Sequence, residues 1–403
     1  MSNTHKIFEK CYNFTEAEEA RAAGHYPFFQ PIGKTAGTKV LIKDRELLMA
    51  GSNNYLGLAT DPRMIEASQK AIREYGTSCS GSRFMNGTLS LHEELEHQLA
   101  DFVGMEEALC FTTGHQTNLG AISALLSRGD HVITDKFNHA SIMDGIFLSL
   151  GMHKSVHVHR FPHNNFDALE KILKRIPKNA PKLIVTDGVF SMEGDIVNLP
   201  EMKALSEKYD AAIYLDEAHA VGVLGKNGRG TLEHYGESDL ADLIMCTFSK
   251  AFGSIGGFVA GKAKVIDYIK HVARPLMFSA SMTPANVIGA ITALDIIKKE
   301  PERVQRLQEI GRKMAKGFKD LGFDTGKTTT PIVPLVIGDN EKTFIFWKML
   351  FEKGVYVNPV ITPAVPPNRA MIRTSFMATH SDEELDQILN IVGETGKEIG
   401  LIS

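Results

Sequence analysis

Lys250 follows an apolar run from Leu243 to Cys246 and stands beside two hydroxyls, Thr247 and Ser249, ahead of a glycine-rich turn through Gly253, Gly256 and Gly257. The run reads as a buried strand. A lysine just past the end of such a strand loses much of its hydration, which lowers its pKa and makes it a usable nucleophile. The flanking hydroxyls suit a phosphate. A lysine with a phosphate clamp suggests a Schiff base to pyridoxal phosphate (PLP). Alone the signal is weak, because most lysines beside serines are solvated surface residues.

That chemistry needs partners: a phosphate cradle, a carboxylate for the pyridinium nitrogen, a ring-stacking group and an anchor for the substrate carboxylate. Asp216, at the end of another apolar run, suits the nitrogen, keeping it protonated so that the ring can accept the electrons of a carbanion. A lone strand-end aspartate is as readily a helix N-cap. His219 could hydrogen-bond the phenolic oxygen of the cofactor, and His139 could lie against the ring face. With fifteen histidines in the chain, either alone reads first as structural. Gly114 and His115 open a helix and offer backbone N–H groups where the helix dipole favours an anion. Arg373, in a late strand, could clamp a carboxylate with two parallel hydrogen bonds, or form a surface ion pair.

The elements that must position these residues show in the hydropathy pattern. Apolar runs at 108–111, 131–134, 155–161, 183–186, 211–215 and 243–246 are separated mostly by helical segments, among them 117–126, 141–150, 166–176 and 199–209. This alternation predicts a mostly parallel sheet covered on both faces, whose ligands gather at the carboxyl ends of the strands. The polar clusters fall there: Thr113–His115, Asp135 with Asn138–Ser141, Asp187–Ser191, Asp216–His219 and Thr247–Lys250. Before the sheet come a polar arm, a hairpin around Lys43–Arg45, and loops at 51–58 and 76–88. After it come helices at 285–298 and 302–321, then a smaller α+β segment with strands at 332–336, 354–358 and 370–376. The expected division is an N-terminal arm and hairpin over 1–50, a large cofactor-binding domain over 51–285 and a C-terminal α+β domain over 286–403.

The totals exclude other classes. A net charge of −4 with 23% charged residues gives no argument for nucleic acid or an anionic membrane. Four scattered cysteines without CxxC spacing read as reduced thiols, and the N-terminus lacks an apolar signal core. A cytoplasmic protein is expected, with peripheral contact to the inner membrane left open. No metal is expected: His157 and His159 have no evident ligand partners, and no GxxxxGK[ST] loop accompanies Asp216-Glu-Ala-His219.

Together the motifs resemble the PLP-dependent α-oxoamine synthases of fold type I, over nearly the whole chain. The resemblance runs through Ser52-Asn-Asn-Tyr-Leu-Gly-Leu58, Asn138-His-Ala-Ser-Ile142, Asp187-Gly-Val-Phe-Ser-Met192, Asp216-Glu-Ala-His-Ala-Val-Gly222, Thr247-Phe-Ser-Lys250 and Met371-Ile-Arg-Thr374. It implies a mostly parallel central sheet with helices on both faces and a smaller C-terminal α+β domain. Lys250 would hold the cofactor covalently and remove the substrate α-proton. His139 would stack on the ring, Asp216 would pair with its nitrogen, and His219 and Ser191 would lie near its phenolic oxygen. Gly114, His115, Thr247 and Ser249 would hold the phosphate, and Asn53 and Arg373 the amino-acid carboxylate. A homodimer with active sites at the subunit interface is implied as well.

Many members carry a threonine that reaches the neighbouring subunit's phosphate. Here Ala280 stands between Ser279 and Ser281, so one of those serines is expected to replace it. That alanine, with Gly81–Thr88, Ser191–Pro200 and Met277–Pro284, is similar to the members that condense L-serine with a long-chain acyl-CoA, such as palmitoyl-CoA, to 3-ketosphinganine, CoA and CO2, opening sphingolipid synthesis. Some of those have a second arginine where Ile361 stands; Arg369 is nearby but not aligned. Met371–Thr374 and Gly396–Gly400 resemble the glycine- and acetyl-CoA-using members about as well, and the members that form 8-amino-7-oxononanoate are a further alternative. A non-catalytic member is a third, opposed by the retention of Lys250, Asp216, His139 and His219.

Overall fold

The computed structural model describes residues 5–153 and 155–403. Strands β1 (Lys34–Ala36), β2 (Lys39–Ile42) and β3 (Arg45–Met49) form the expected hairpin with one added edge. The central sheet follows: β4 (Glu107–Phe111), β5 (His131–Asp135), β6 (His157–Phe161), β7 (Lys182–Asp187), β8 (Ala212–Asp216), β9 (Leu243–Thr247) and β10 (Gly257–Gly261). Its order is β4-β10-β9-β8-β7-β5-β6, and only β10 runs against the rest.

Alternate residues of these strands feed two separate cores, as a sheet covered on both faces requires. Cys110, Ile133, Ile184, Ile213, Leu215, Ile244 and Cys246 belong to one layer. Leu109, Phe111, Val132, Val185, Tyr214, Leu243 and Met245 belong to the other. Truncating such a side chain to alanine costs about 2–5 kcal/mol, so the strand ends above it are held firmly.

The C-terminal segment contributes β11 (Ile332–Gly338), β12 (Val355–Tyr356), β13 (Asn358–Val360) and β14 (Ala370–Ser375). The single strand expected at 354–358 is divided. Its first half, β12, runs parallel to β3 in the hairpin's sheet, while β13 pairs with β14 in a separate antiparallel sheet with β11. Arg373 therefore sits on the middle strand of that small sheet.

His157 and His159, expected to lack partners, have one across the β5–β6 pair. The His131 ring stacks on both, and its Nδ1 is 2.9 Å from His159 Nε2. Among the described residues no cluster of three metal-ligating side chains forms, and no helix is long and apolar enough to cross a membrane.

Candidate active site

The carboxyl ends of β7, β8 and β9 open into a cleft of about 410 Å³. Its walls include Gly114, His115, His139, Asp216, His219, Thr247, Ser249 and Lys250, eight of the sequence-derived candidates. Asn118, Ser141 and Asp187 complete the polar lining.

Lys250 leaves β9 in a tight turn, with Phe248 N–H donating to the Gly256 carbonyl and Gly253 N–H to that of Lys250. Burial lowers its pKa, partly offset by Asp216. Thr247 Oγ1 and Ser249 Oγ lie 2.9 Å apart, and Thr247 Oγ1 donates to the Gly256 carbonyl at 3.0 Å. Opposite them the helix Gly114–Leu125 begins, with the Thr113 hydroxyl capping the Gln116 N–H at 3.1 Å. A Cβ on Gly114 would come within 2.5 Å of Thr247, so only glycine lets this N-terminus lie against the hydroxyl pair. Hydroxyls and free helix N–H groups on one spot make an anion cradle. The His115 ring itself turns toward Asp144, 3.3 Å away.

Asp216 is buried and accepts from Ala218 N–H at 2.9 Å through one oxygen and from Asn118 Nδ2 at 2.7 Å through the other. Asn118 also donates to Ser141 Oγ at 2.9 Å and accepts from the Tyr214 hydroxyl at 2.9 Å. Ser141 Oγ in turn lies 2.7 Å from His139 Nδ1, which the Ser141 N–H also addresses. Nδ1 is thereby the acceptor, leaving the proton on Nε2. Burial lowers the His139 pKa and keeps the ring neutral. Asp187 pairs with Asp216 across β7 and β8, and burial together with that neighbour raises its carboxyl pKa far above the ordinary range. Asp187 is thus held neutral beside Asp216.

His219 is buried, with Nδ1 only 2.6 Å from the Tyr55 hydroxyl. Arg373 Nη2 points at the same hydroxyl, 3.4 Å, and at Asn53 Oδ1, 3.0 Å, while its Nε donates to the Ser191 carbonyl at 2.5 Å. The Tyr55 hydroxyl thus accepts from Arg373 Nη2, shares a short hydrogen bond with His219 Nδ1 and also faces Asn53 Oδ1 at 3.3 Å. Burial, with Lys250 and Arg373 nearby, drives the His219 pKa far down and keeps it neutral.

Asn53, Arg373 and Ser191 therefore form a second wall, joined to the cleft through Tyr55. Ser191 meets it by its carbonyl. Ser279 lies outside the cleft, half-buried, next to exposed Ala280. The Ser281 hydroxyl is enclosed without a partner, within 2.5 Å of where a Gly87 Cβ would be. Ser279 is the more exposed of the two serines.

The profile of the aminotransferase class I and II family matches residues 45–392. A serine palmitoyltransferase of Sphingobacterium spiritivorum is 50% identical over 95% of this chain and 94% of its own. That of Bacteroides thetaiotaomicron is 46% identical over 98% and 99%. The chain belongs to the PLP-dependent α-oxoamine synthase family. Another α-oxoamine synthase, the 8-amino-7-oxononanoate synthase of Thermoanaerobacter pseudethanolicus, is 40% identical over 96% of both chains. Among solved structures, serine palmitoyltransferase from S. paucimobilis, with PLP and myriocin bound, superposes with a TM-score of 0.93 at 34% identity, covering 98% and 99% of the two chains. The cofactor of this α-oxoamine synthase is pyridoxal 5′-phosphate, and the cleft fits it: an anion cradle at one end, the buried carboxyl of Asp216 at the other, and Lys250 between the walls.

Sequence reasoning missed Tyr55, Asn118, Ser141 and Asp187 as site members. Tyr55 and Asp187 stood inside quoted motifs, and Ser141 two residues from His139. Asn118 gave only the signal of an amide one turn into the phosphate-facing helix.

Proposed function

We propose that the protein condenses L-serine with a long-chain acyl-CoA, releasing CoA and CO2 to give 3-ketosphinganine. The reading is carried by 46–50% identity to serine palmitoyltransferases over 95–98% of the chain. When bound, PLP supplies an electron sink for the carbanion formed at the substrate Cα.

The chain's residues do the rest. Lys250 would hold the cofactor and take the α-proton, and burial lowers its pKa in the direction that favours the free amine. His139 would present its neutral ring to the cofactor face. Asp216, locked by Asn118 and Ala218 N–H, keeps the pyridine nitrogen protonated. The His219 Nε2–H, oriented by Tyr55, donates to the phenolic oxygen, with Ser191 alongside. Gly114, His115, Thr247 and Ser249 hold the phosphate. Asn53 and Arg373 bind the serine carboxylate, which must stay attached until decarboxylation.

The thioester is assigned to the adjoining cleft of about 440 Å³, walled by Phe137, Phe190, Met192, Val365 and Pro366, with Lys136 and Arg160 exposed at its edge. The apolar walls suit an acyl chain and the cations suit CoA phosphates. The exposed Phe84, Met85, Ile255 and Phe278 support a homodimer closing over the site, with Ser279 offered to the partner's phosphate.

Product analysis by mass spectrometry, with mixed amino acids and mixed acyl-CoAs, tests the reading. Serine and palmitoyl-CoA should give 3-ketosphinganine, and Lys250→Ala should lower turnover by about a thousandfold or more. A glycine–acetyl-CoA product instead would overturn the substrate assignment and leave the family intact.

A further inference from the structure

Outside the cleft, one titratable group is held more tightly than any structural need explains. His163 follows β6, and both its ring nitrogens face carboxylates: Nδ1 is 3.2 Å from Asp135 Oδ1 and Nε2 is 2.9 Å from Asp195 Oδ2. The ring stacks on Phe137, centroids 4.5 Å apart, and meets Phe190 edge-on at 4.3 Å. Asn164 completes the link, its N–H donating to Asp135 Oδ2 at 2.9 Å and its Nδ2 to Asp195 Oδ2 at 3.0 Å.

Two loops are tied by this ring. The first, after β5, runs from Asp135 to His139: Asp135 Oδ1 accepts the Phe137 N–H at 2.8 Å, and Asn138 is anchored to Thr134 and to β7. The second, after β7, is closed on itself by Phe190 N–H to the Asp195 carbonyl and Gly194 N–H to that of Phe190. It carries the Ser191 carbonyl that receives Arg373 Nε.

We propose that His163 is a positioning residue for the condensation, its doubly bonded ring fixing the loop that presents His139 against the loop that holds Arg373 in register. This rests on the roles given above to His139 and Arg373. The ring carries the charge the arrangement needs. Burial alone would lower its pKa, but the bonds to Asp135 and Asp195 outweigh it and hold the pKa at about 9. The other charged groups near it are engaged or solvated: Glu193 is bonded to Arg369, and Lys136 and Arg160 are exposed.

The folded pKa is raised, so the brace is complete below the unfolded histidine value of about 6.5 and is lost as pH rises through about 9. His163→Asn in the holoenzyme should raise the serine dissociation constant and lower kcat at pH 7, each by about fivefold to tenfold. The gap in melting temperature between wild type and variant should be widest at low pH and close above about pH 9. Asp195→Asn keeps the ring and one partner, and should move that window about one unit lower; it serves as the test if His163→Asn does not fold. A variant that melts earlier yet binds serine and turns over as wild type does, with an unchanged pH profile, would reduce His163 to a stabilising contact. His139→Ala separates the two ideas: wild-type turnover there would remove the underlying reading, whereas an inactive His139→Ala beside an unaffected His163→Asn would remove only the brace.

Discussion

Tyr55 stands where three proposed roles meet. Its hydroxyl accepts from Arg373 and hydrogen-bonds His219 Nδ1 over 2.6 Å, coupling the carboxylate anchor to the group proposed to face the phenolic oxygen. Tyr55→Phe keeps the packing and removes only that relay. Leaving a buried His219 nitrogen unpaired costs about 1–3 kcal/mol, so kcat/KM for serine should fall roughly tenfold with the cofactor still bound. A shift in the bound cofactor's absorbance, together with steady-state kinetics, checks it; unchanged kinetics would place His219 outside the chemistry. The contrast with Lys250 shows what a sequence conveys at this scale. Lys250, Asp216 and His139 stand out because the strand before each ends abruptly in a polar residue. Tyr55 sits in a loop more than 160 positions from His219, and only the folded chain joins them. Asn118 is invisible for the same reason, since its partners Ser141, Tyr214 and Asp216 come from two other elements, a helix and β8.

Elements carry the proposed phosphate site. The helix Gly114–Leu125 and the strand β9 approach closely because position 114 has no side chain, and Gly145 plays the same part where the helix Ala140–Met152 crosses: a Cβ there would lie 2.9 Å from the Asn118 carbonyl. Gly114→Ala should push the helix start off Thr247, weakening PLP retention about tenfold or more, as dialysis against free phosphate would reveal. Retention equal to wild type would mean that the phosphate is held elsewhere. The strand–helix alternation made these elements legible in advance, including the helix opened by Gly114 and His115, which Thr113 caps. The divided strand at 354–358 was not legible. A short apolar run does not state which of two sheets will hydrogen-bond each half, and here Val357 separates β12 from β13.

On the scale of the whole molecule, exposed apolar side chains gather on the face proposed to meet a second copy. Phe278 is 72% exposed and Met85 76%, and both lie in the segments joined by the Ser82–Ala280 bridge. Burying two such side chains against a second copy contributes about 3–6 kcal/mol per subunit before association costs. Replacing both by glutamate should convert a dimer to monomers in sedimentation velocity and reduce activity with it. A monomer that retained full turnover would mean that each chain's cleft is complete by itself. Composition predicted none of this, because single exposed apolar residues are ordinary and only their grouping around one bridge is informative.

The reversed strand β10 has a bearing on turnover that concerns motion rather than contact. Because β10 returns directly beside β9, the turn bearing Lys250 is fastened at both ends, from Phe248 to Gly256. In its proposed role, a lysine that releases its bond and remakes it in every cycle would travel mainly by rotating its own four side-chain torsions. The backbone beneath it is held by the strand pair. The amine searches a volume no wider than its tether, so its local concentration about the cofactor stays high throughout the cycle. The leash is set by a hairpin, and the speed of re-attachment follows from its stiffness.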